Sequence, residues 1–146
     1  MQTNLFPNIR IVLVETSHPG NIGAAARAMK NMGVTNLVLV GPKKFPDEVA
    51  DFRAVSAIDV LQQAIVVKSL EDAIKDCHLV IGTSARDRRI PWPMLDPKGC
   101  SKKVIQESSN NHNIAILFGR EDRGLSNQEL QQCHFHVNIP TGKAYS

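Results

Sequence analysis

A chain of 146 residues, 42% hydrophobic and 21% charged, is long enough for one domain with its own core, and this composition excludes a disordered or fibrous polypeptide. A net charge of +3 permits a nucleic-acid partner without requiring one, and an aromatic content of 5% argues against a base-stacking platform for single strands. No apolar run approaches the ~20 residues of a membrane span, no secretory core precedes Ile9, and Cys77, Cys100 and Cys133 lack C-x-x-C pairing, the pattern of reduced cysteines in a cytoplasmic protein.

In chain order, the apolar run Ile9–Val14 predicts a buried strand, and Asn21–Met32 predicts a helix. Between them lies Glu15-Thr16-Ser17-His18-Pro19-Gly20, a turn segment whose Pro19 and Gly20 suit the change from strand to helix. Gly20 and Gly23 allow either close backbone approach or φ > 0. Arg27 is the only long side chain in the alanine run that follows, which places one guanidinium near something negative or polar. Spacing alone fits an ordinary βα turn with a surface arginine equally well, and Gly20-x-x-Gly23 does not match the dinucleotide fingerprint.

Further strands are predicted at Leu37–Val40, Ile65–Val67, Leu79–Ile81, Ile114–Phe118 and Phe135–Ile139, mostly as continuous apolar runs that imply burial on both faces. Helices are predicted over Asp47–Gln62, Leu70–Asp76, Lys98–Glu107 and Asn127–Gln132, with Ser69 as an N-cap and Ser126 with Glu129 as a capping box. Gly82-Thr83-Ser84-Ala85 reads as a loop at the carboxyl end of a strand, where open α/β sheets place ligands; a plain polar turn fits as well. Arg86, Arg88 and Arg89 follow on a loop and can contact several phosphates, against the plainer reading of a solvated charged loop. A second strand-end loop, Phe118-Gly119-Arg120-Glu121-Asp122-Arg123-Gly124-Leu125, carries a carboxylate able to orient a guanidinium such as Arg27. His134 and His136 alternate and so are expected on one face, but two ligands do not make a metal site and none is expected. His18 has no evident base partner, and His78 and His112 read as structural. No linker or repeat divides residues 1–146, and the alternation of strands and helices predicts an α/β fold, a mostly parallel sheet with helices on both faces.

Three of these segments, Asn21-x-Gly23-x-x-x-Arg27, Phe118-Gly119-x-Glu121-x-x-Gly124-Leu125 and the strand ending Ile139-Pro140, together resemble the three motifs of the SpoU (TrmH) family. The resemblance runs from Ile9 onward and implies a SPOUT-type α/β knot fold and S-adenosylmethionine-dependent methylation of an RNA ribose 2′-hydroxyl. The stretch Val14–Asn21, Gly82–Arg86 and Pro91-Trp92-Pro93 are similar to the TrmJ-like branch, which methylates the pyrimidine ribose at position 32 of the tRNA anticodon loop. The resemblance implies a cofactor site at Thr83, Ser84, Ala85, Gly119, Ile139 and Ser146, and catalytic Arg27, with Asn21 and Glu121 holding it and the loop around it. It further implies tRNA contacts at His18, Arg86, Arg88, Arg89 and Arg123, and a homodimer. The family's third motif continues with a Ser-Leu-Asn turn and a helix, whereas this sequence stops at Ser146, so a truncated methyltransferase domain with an incomplete knot is expected. Two readings from other classes stand beside it: an RNA-binding module without catalysis, and an unrelated nucleotide-binding α/β enzyme that uses the Asn21–Arg27 segment for phosphate. A related rRNA or tRNA 2′-O-methyltransferase is the alternative within the family.

Overall fold

The computed structural model describes residues 6–84, 94–95 and 97–138. Ala85, Arg86, Arg88, Arg89, Ile139 and Ser146, and with them the end of the third motif, lie outside the described residues.

Seven parallel strands form one sheet: β1 (Ile9–Val14), β2 (Asn36–Val40), β3 (Ile65–Val67), β4 (Leu79–Ser84), β5 (Met94–Leu95), β6 (Ile114–Phe118) and β7 (Phe135–Asn138), in the order β3-β2-β1-β6-β4-β7-β5. Parallel strands need long crossovers, and the sequence supplies helices for them. These are α1 (Pro19–Asn31), α2 (Glu48–Ala54), a 3₁₀ turn (Val55–Ala57), α3 (Ile58–Gln62), α4 (Leu70–Ile74), α5 (Pro97–Ser109) and α6 (Asn127–Leu130). Ile11, Leu13, Leu37, Leu39, Ile81 and Ile114 bury one sheet face with residues of α1, α2, α3 and α5. Val12, Val14, Val38, Val40, Val80 and Leu117 bury the other with residues of α4 and α6. Both sets alternate along the same strands, which is why the strands read as unbroken apolar runs. β3 is the exception: it lies at the sheet edge, and Ile65 and Val66 are exposed, contrary to the expectation of burial on both faces.

Two other expectations change. Asp47–Gln62 is not one helix. Asp47 is the N-cap of α2, and Val55 interrupts the helix with φ +55°, an unusual conformation for a β-branched residue. The pieces on either side pack against α1: a Cβ at Gly23 would lie 2.2 Å from the Ala50 carbonyl oxygen, and the Lys30 ammonium bonds the Ser56 carbonyl and Asp59. Gly23 is therefore needed for close helix packing, not for a positive φ. The second change is at Gly82-Thr83-Ser84, which continues β4 instead of turning, with Gly82 paired to Leu117 and His136 and Ser84 paired to Asn138. Gly82 fits there because a Cβ would come within 2.8 Å of the Cys133 sulfur.

Candidate functional site

In an all-parallel sheet every strand ends at the same edge, so the carboxyl ends of β1, β6, β4 and β7 lie side by side. The segment after β6 turns back sharply. Gly119 makes this possible, since a Cβ there would fall 2.1 Å from the backbone of Gly124 and Leu125. Arg120 and Gly124 then pair as a short antiparallel bridge, closed by Gly124 at φ +69°. The turn directs Glu121 to the start of α1. Its carboxylate accepts from the Ser17 hydroxyl at 2.5 Å, from the Ser17 amide at 3.2 Å and from the His18 amide at 3.2 Å. No acidic residue lies in the first turn of α1, so Glu121 supplies from another segment the negative charge that the amino end of a helix favours. His18 is the N-cap, its Nδ1 accepting from the Gly20 amide, and Pro19 occupies the first helical position, where its missing N–H is harmless.

Arg120 anchors this turn from the other side. Its fork bonds both oxygens of Glu129 at 2.9 and 3.0 Å, reaches Glu15 at the end of β1, and donates to the Gly124 carbonyl. The bond to Glu129 and then that to Glu15 hold the Arg120 guanidinium above its ordinary range, against the opposing effect of burial. Burial pushes the Glu129 carboxyl up, but the Arg120 fork and the Ser126 amide outweigh it and leave it below the usual carboxylate value. Glu15 itself stands at φ +51°, outside the range that side chains ordinarily prefer.

The sequence-predicted residues are thus partly gathered. Asn21, Thr16, Phe118, Gly119 and Glu121 line one groove of about 400 Å³, closed below by Ile11 and Leu13 and on one side by Ala25, Met29 and Met32 of α1. Thr83 lies next to it across β4 and β6, but its hydroxyl is buried and donates to the Leu117 carbonyl at 2.8 Å, so it braces the strands. Arg27 stands outside this groove. It is exposed, and among the described residues it has no hydrogen bond or ion pair with Asn21 or Glu121. Six residues along an α-helix turn it by about 240° from Asn21, so Arg27 lies with Gly20, Gly23 and Lys30 on the side facing α2. Among the described residues the Glu121 carboxylate bonds the loop before α1, at Ser17 and His18. Arg123 is exposed, in a long contact of 3.6 Å with Asp122.

His134 and His136 each have a partner within the fold. His134 precedes the strand, and its Nδ1 accepts from the Val80 amide; His136 is buried with its ring nitrogen 2.8 Å from the Leu130 carbonyl. Among the described residues no cluster of His, Cys, Asp or Glu is arranged to hold a metal ion. Sequence reasoning missed Glu15 and Glu129 as partners of Arg120, and it missed Asn138. The Asn138 Oδ1 is buried at the carboxyl end of β7, beside Ser84, and has no hydrogen-bond partner among the described residues. It also missed Arg53, whose stem packs across Gly20 and Gly23 while the residue remains exposed.

The fold of this chain is similar to that of solved methylase family structures. A probable methylase family protein from Haemophilus influenzae Rd KW20 has the same fold, with a TM-score of 0.88 and 50% identity over 97% of this chain and 59% of that one. Residues 8–146 match the SpoU rRNA Methylase family, and the chain belongs to that family. Within it, the chain is 56% identical over 137 residues to the tRNA (cytidine/uridine/adenosine-2′-O-)-methyltransferase TrmJ of Pseudomonas aeruginosa (strain UCBPP-PA14), which covers 94% of this chain and 53% of the relative. It is 54% identical over 142 residues to the tRNA (cytidine/uridine-2′-O-)-methyltransferase TrmJ of Escherichia coli (strain K12), covering 97% of this chain and 57% of that protein. The chain spans about half the length of the curated relatives it matches. Among the described residues no helix is long and apolar enough to cross a membrane.

Proposed function

We propose that this chain is the cofactor-binding and catalytic part of a tRNA 2′-O-ribose methyltransferase that acts on cytidine or uridine at position 32 of the anticodon loop and works as a homodimer. The observation that carries the reading is the bond set from Glu121 to Ser17 and His18, which joins the second motif to the start of the helix bearing the first. Relatives named for this reaction at 54–56% identity support it.

The family uses S-adenosylmethionine, and the residues at the strand ends fit such a group. The buried Asn138 Oδ1 is an acceptor with no donor among the described residues, and the cofactor offers amine donors. Ser84, Gly119 and Asn138 would hold it, together with Thr83 through the backbone and with Ala85, Ile139 and Ser146 as the motifs assign. When bound, it supplies an electrophilic methyl group for in-line transfer to the ribose oxygen. The chain's own task is alignment, and orientation of two reactants is worth up to about 7–11 kcal/mol in ideal cases. A guanidinium is a fixed cation, so Arg27 serves to grip phosphate and ribose oxygen and to stabilise the charge developing on that oxygen, not to remove the proton. Asn21, with its backbone fixed to the His18 carbonyl, lines the groove where it can orient the substrate. His18, Arg86, Arg88, Arg89 and Arg123 add phosphate contacts.

The test is Arg27→Lys. Methyl transfer from tritiated S-adenosylmethionine to unmodified tRNA should fall by about 100- to 1,000-fold, as for loss of one oxyanion donor, while cofactor affinity and melting temperature stay near those of the parent. Turnover close to that of the parent would remove Arg27 from the chemistry.

A further inference from the structure

We propose that Arg120 is a positioning residue: by fixing the turn 119–125, it sets the aim of Glu121 and so couples the loop after β6 to the amino end of α1. The inference deepens the functional reading above and rests on it for its catalytic consequence.

The geometry leads there step by step. Gly119 and Gly124 alone would give a turn free to swing, because glycine adds no side chain to hold it. Arg120 removes that freedom. One nitrogen of its fork holds Glu129 and the Gly124 carbonyl across the turn, and the other holds Glu129 and Glu15. These partners are themselves fixed. Glu129 accepts from the Ser126 amide at 2.7 Å in a complete capping box, and the Glu15 amide donates to the Val40 carbonyl. The guanidinium thus ties the end of β1, the turn and the start of α6 into one unit. Glu121 is the next residue, and among the described residues the bonds its carboxylate accepts all come from the two residues that precede Pro19. A lysine could replace the charge of Arg120 but not its planar fork, which bonds two carboxylates at once. This places Arg120 one step removed from the groove: it acts through Glu121 and does not itself line the groove.

The test is local and needs no turnover. In Arg120→Lys and Arg120→Met, amide exchange at Ser17 and His18 should quicken by about tenfold to a hundredfold, the range of one lost charge-assisted bond, with little change at β2 or α4. Glu121→Gln should give the same local effect. The double variant Arg120→Met/Glu121→Gln should be no worse than Glu121→Gln alone, because residues acting in series are not additive. In methyl transfer, Arg120→Lys should lower kcat while leaving KM for tRNA unchanged. If Arg120→Met fails to fold, Arg120→Lys and Glu129→Gln carry the same comparison. Additive effects, exchange that quickens uniformly across the sheet, or Ser17 and His18 amides that do not respond would each overturn the assignment. A parent protein that transfers no methyl group but keeps the exchange coupling would overturn the functional reading alone.

Discussion

The two edges of the sheet handle polar residues in opposite ways. At the amino edge the polar groups close on one another. Arg10 bonds both oxygens of Asp76 and the Ala73 carbonyl, His112 bonds Glu107 and stacks on His78 at 4.3 Å, and Asn36 holds the Pro7 and Ile9 carbonyls. At the carboxyl edge Glu121 and Arg120 bond the loops together, yet Asn21 remains exposed at a groove and Arg27 is exposed on another side of α1. The amino edge has the larger crevice, about 840 Å³ between α5 and the start of β7, against about 400 Å³ for the groove beside α1. Volume therefore does not identify the site. What marks it is chemical groups held in place but not used up, at the end of the strands where loops converge.

Gly119→Ala should break this contrast most strongly. Its Cβ would meet backbone, which cannot yield as a side chain can, so a loss of about 2–3 kcal/mol is expected in denaturant melts, together with loss of S-adenosylhomocysteine binding by calorimetry. Gly124→Ala, which meets nothing within 4 Å and suffers only from its φ of +69°, should lose about 1–2 kcal/mol. Equal losses at the two positions would show that the tight turn is not what shapes this edge.

Arg10→Ala sharpens the comparison from the other edge. It should lower stability by about 1 kcal/mol, since the Asp76 side chain is half exposed, and leave methyl transfer unaltered. The bond from Arg10 holds the Asp76 carboxyl below its ordinary value. A carboxyl depressed in this way stabilises the fold above its unfolded pKa, and that contribution fades as pH falls through the folded value. Acid unfolding of Arg10→Ala should therefore show a shallower loss of stability below pH ~4 than the parent. The smallest effect concerns Cys133, whose thiol is pushed up to about 12 by burial first and by Glu129 second. At pH 8 it should resist alkylation until the protein unfolds, whereas the half-buried Cys77 and Cys100 react sooner, as peptide mass mapping would show.

How far these edges were legible follows from what each feature depends on. Strands β1 and β6 were readable to the residue because apolar runs report burial directly, and β3 was readable from its β-branched residues although Ile65 and Val66 are exposed. The break at Val55 was not, since no glycine or proline marks it and the apolar spacing continues through it. Gly82-Thr83-Ser84 imitates a turn because its small residues answer to Cys133 and Leu130, fifty residues away. The motif resemblance brought Glu121 and Asn21 to one groove, but it also paired Glu121 with Arg27. In the fold the carboxylate finds Ser17 and His18, 104 and 103 positions away in sequence, and helix geometry turns Arg27 to another side. Local sequence shows a residue's chemistry; its partner depends on which loops the sheet order makes neighbours.

That order has a consequence for how the chain is made. β6 lies between β1 and β4, and β4 has no other partner than β6 and β7. During synthesis from the amino end, β4 therefore emerges with both sides unpaired and stays so until residues 114–118 leave the ribosome. Long-range parallel pairing of this kind is slow, and bare apolar strands invite pairing between chains. A nascent chain arrested before Ile114 should need a chaperone to stay soluble; release of β6 should let β1, β6 and β4 join, and β7 then adds β5 to the sheet.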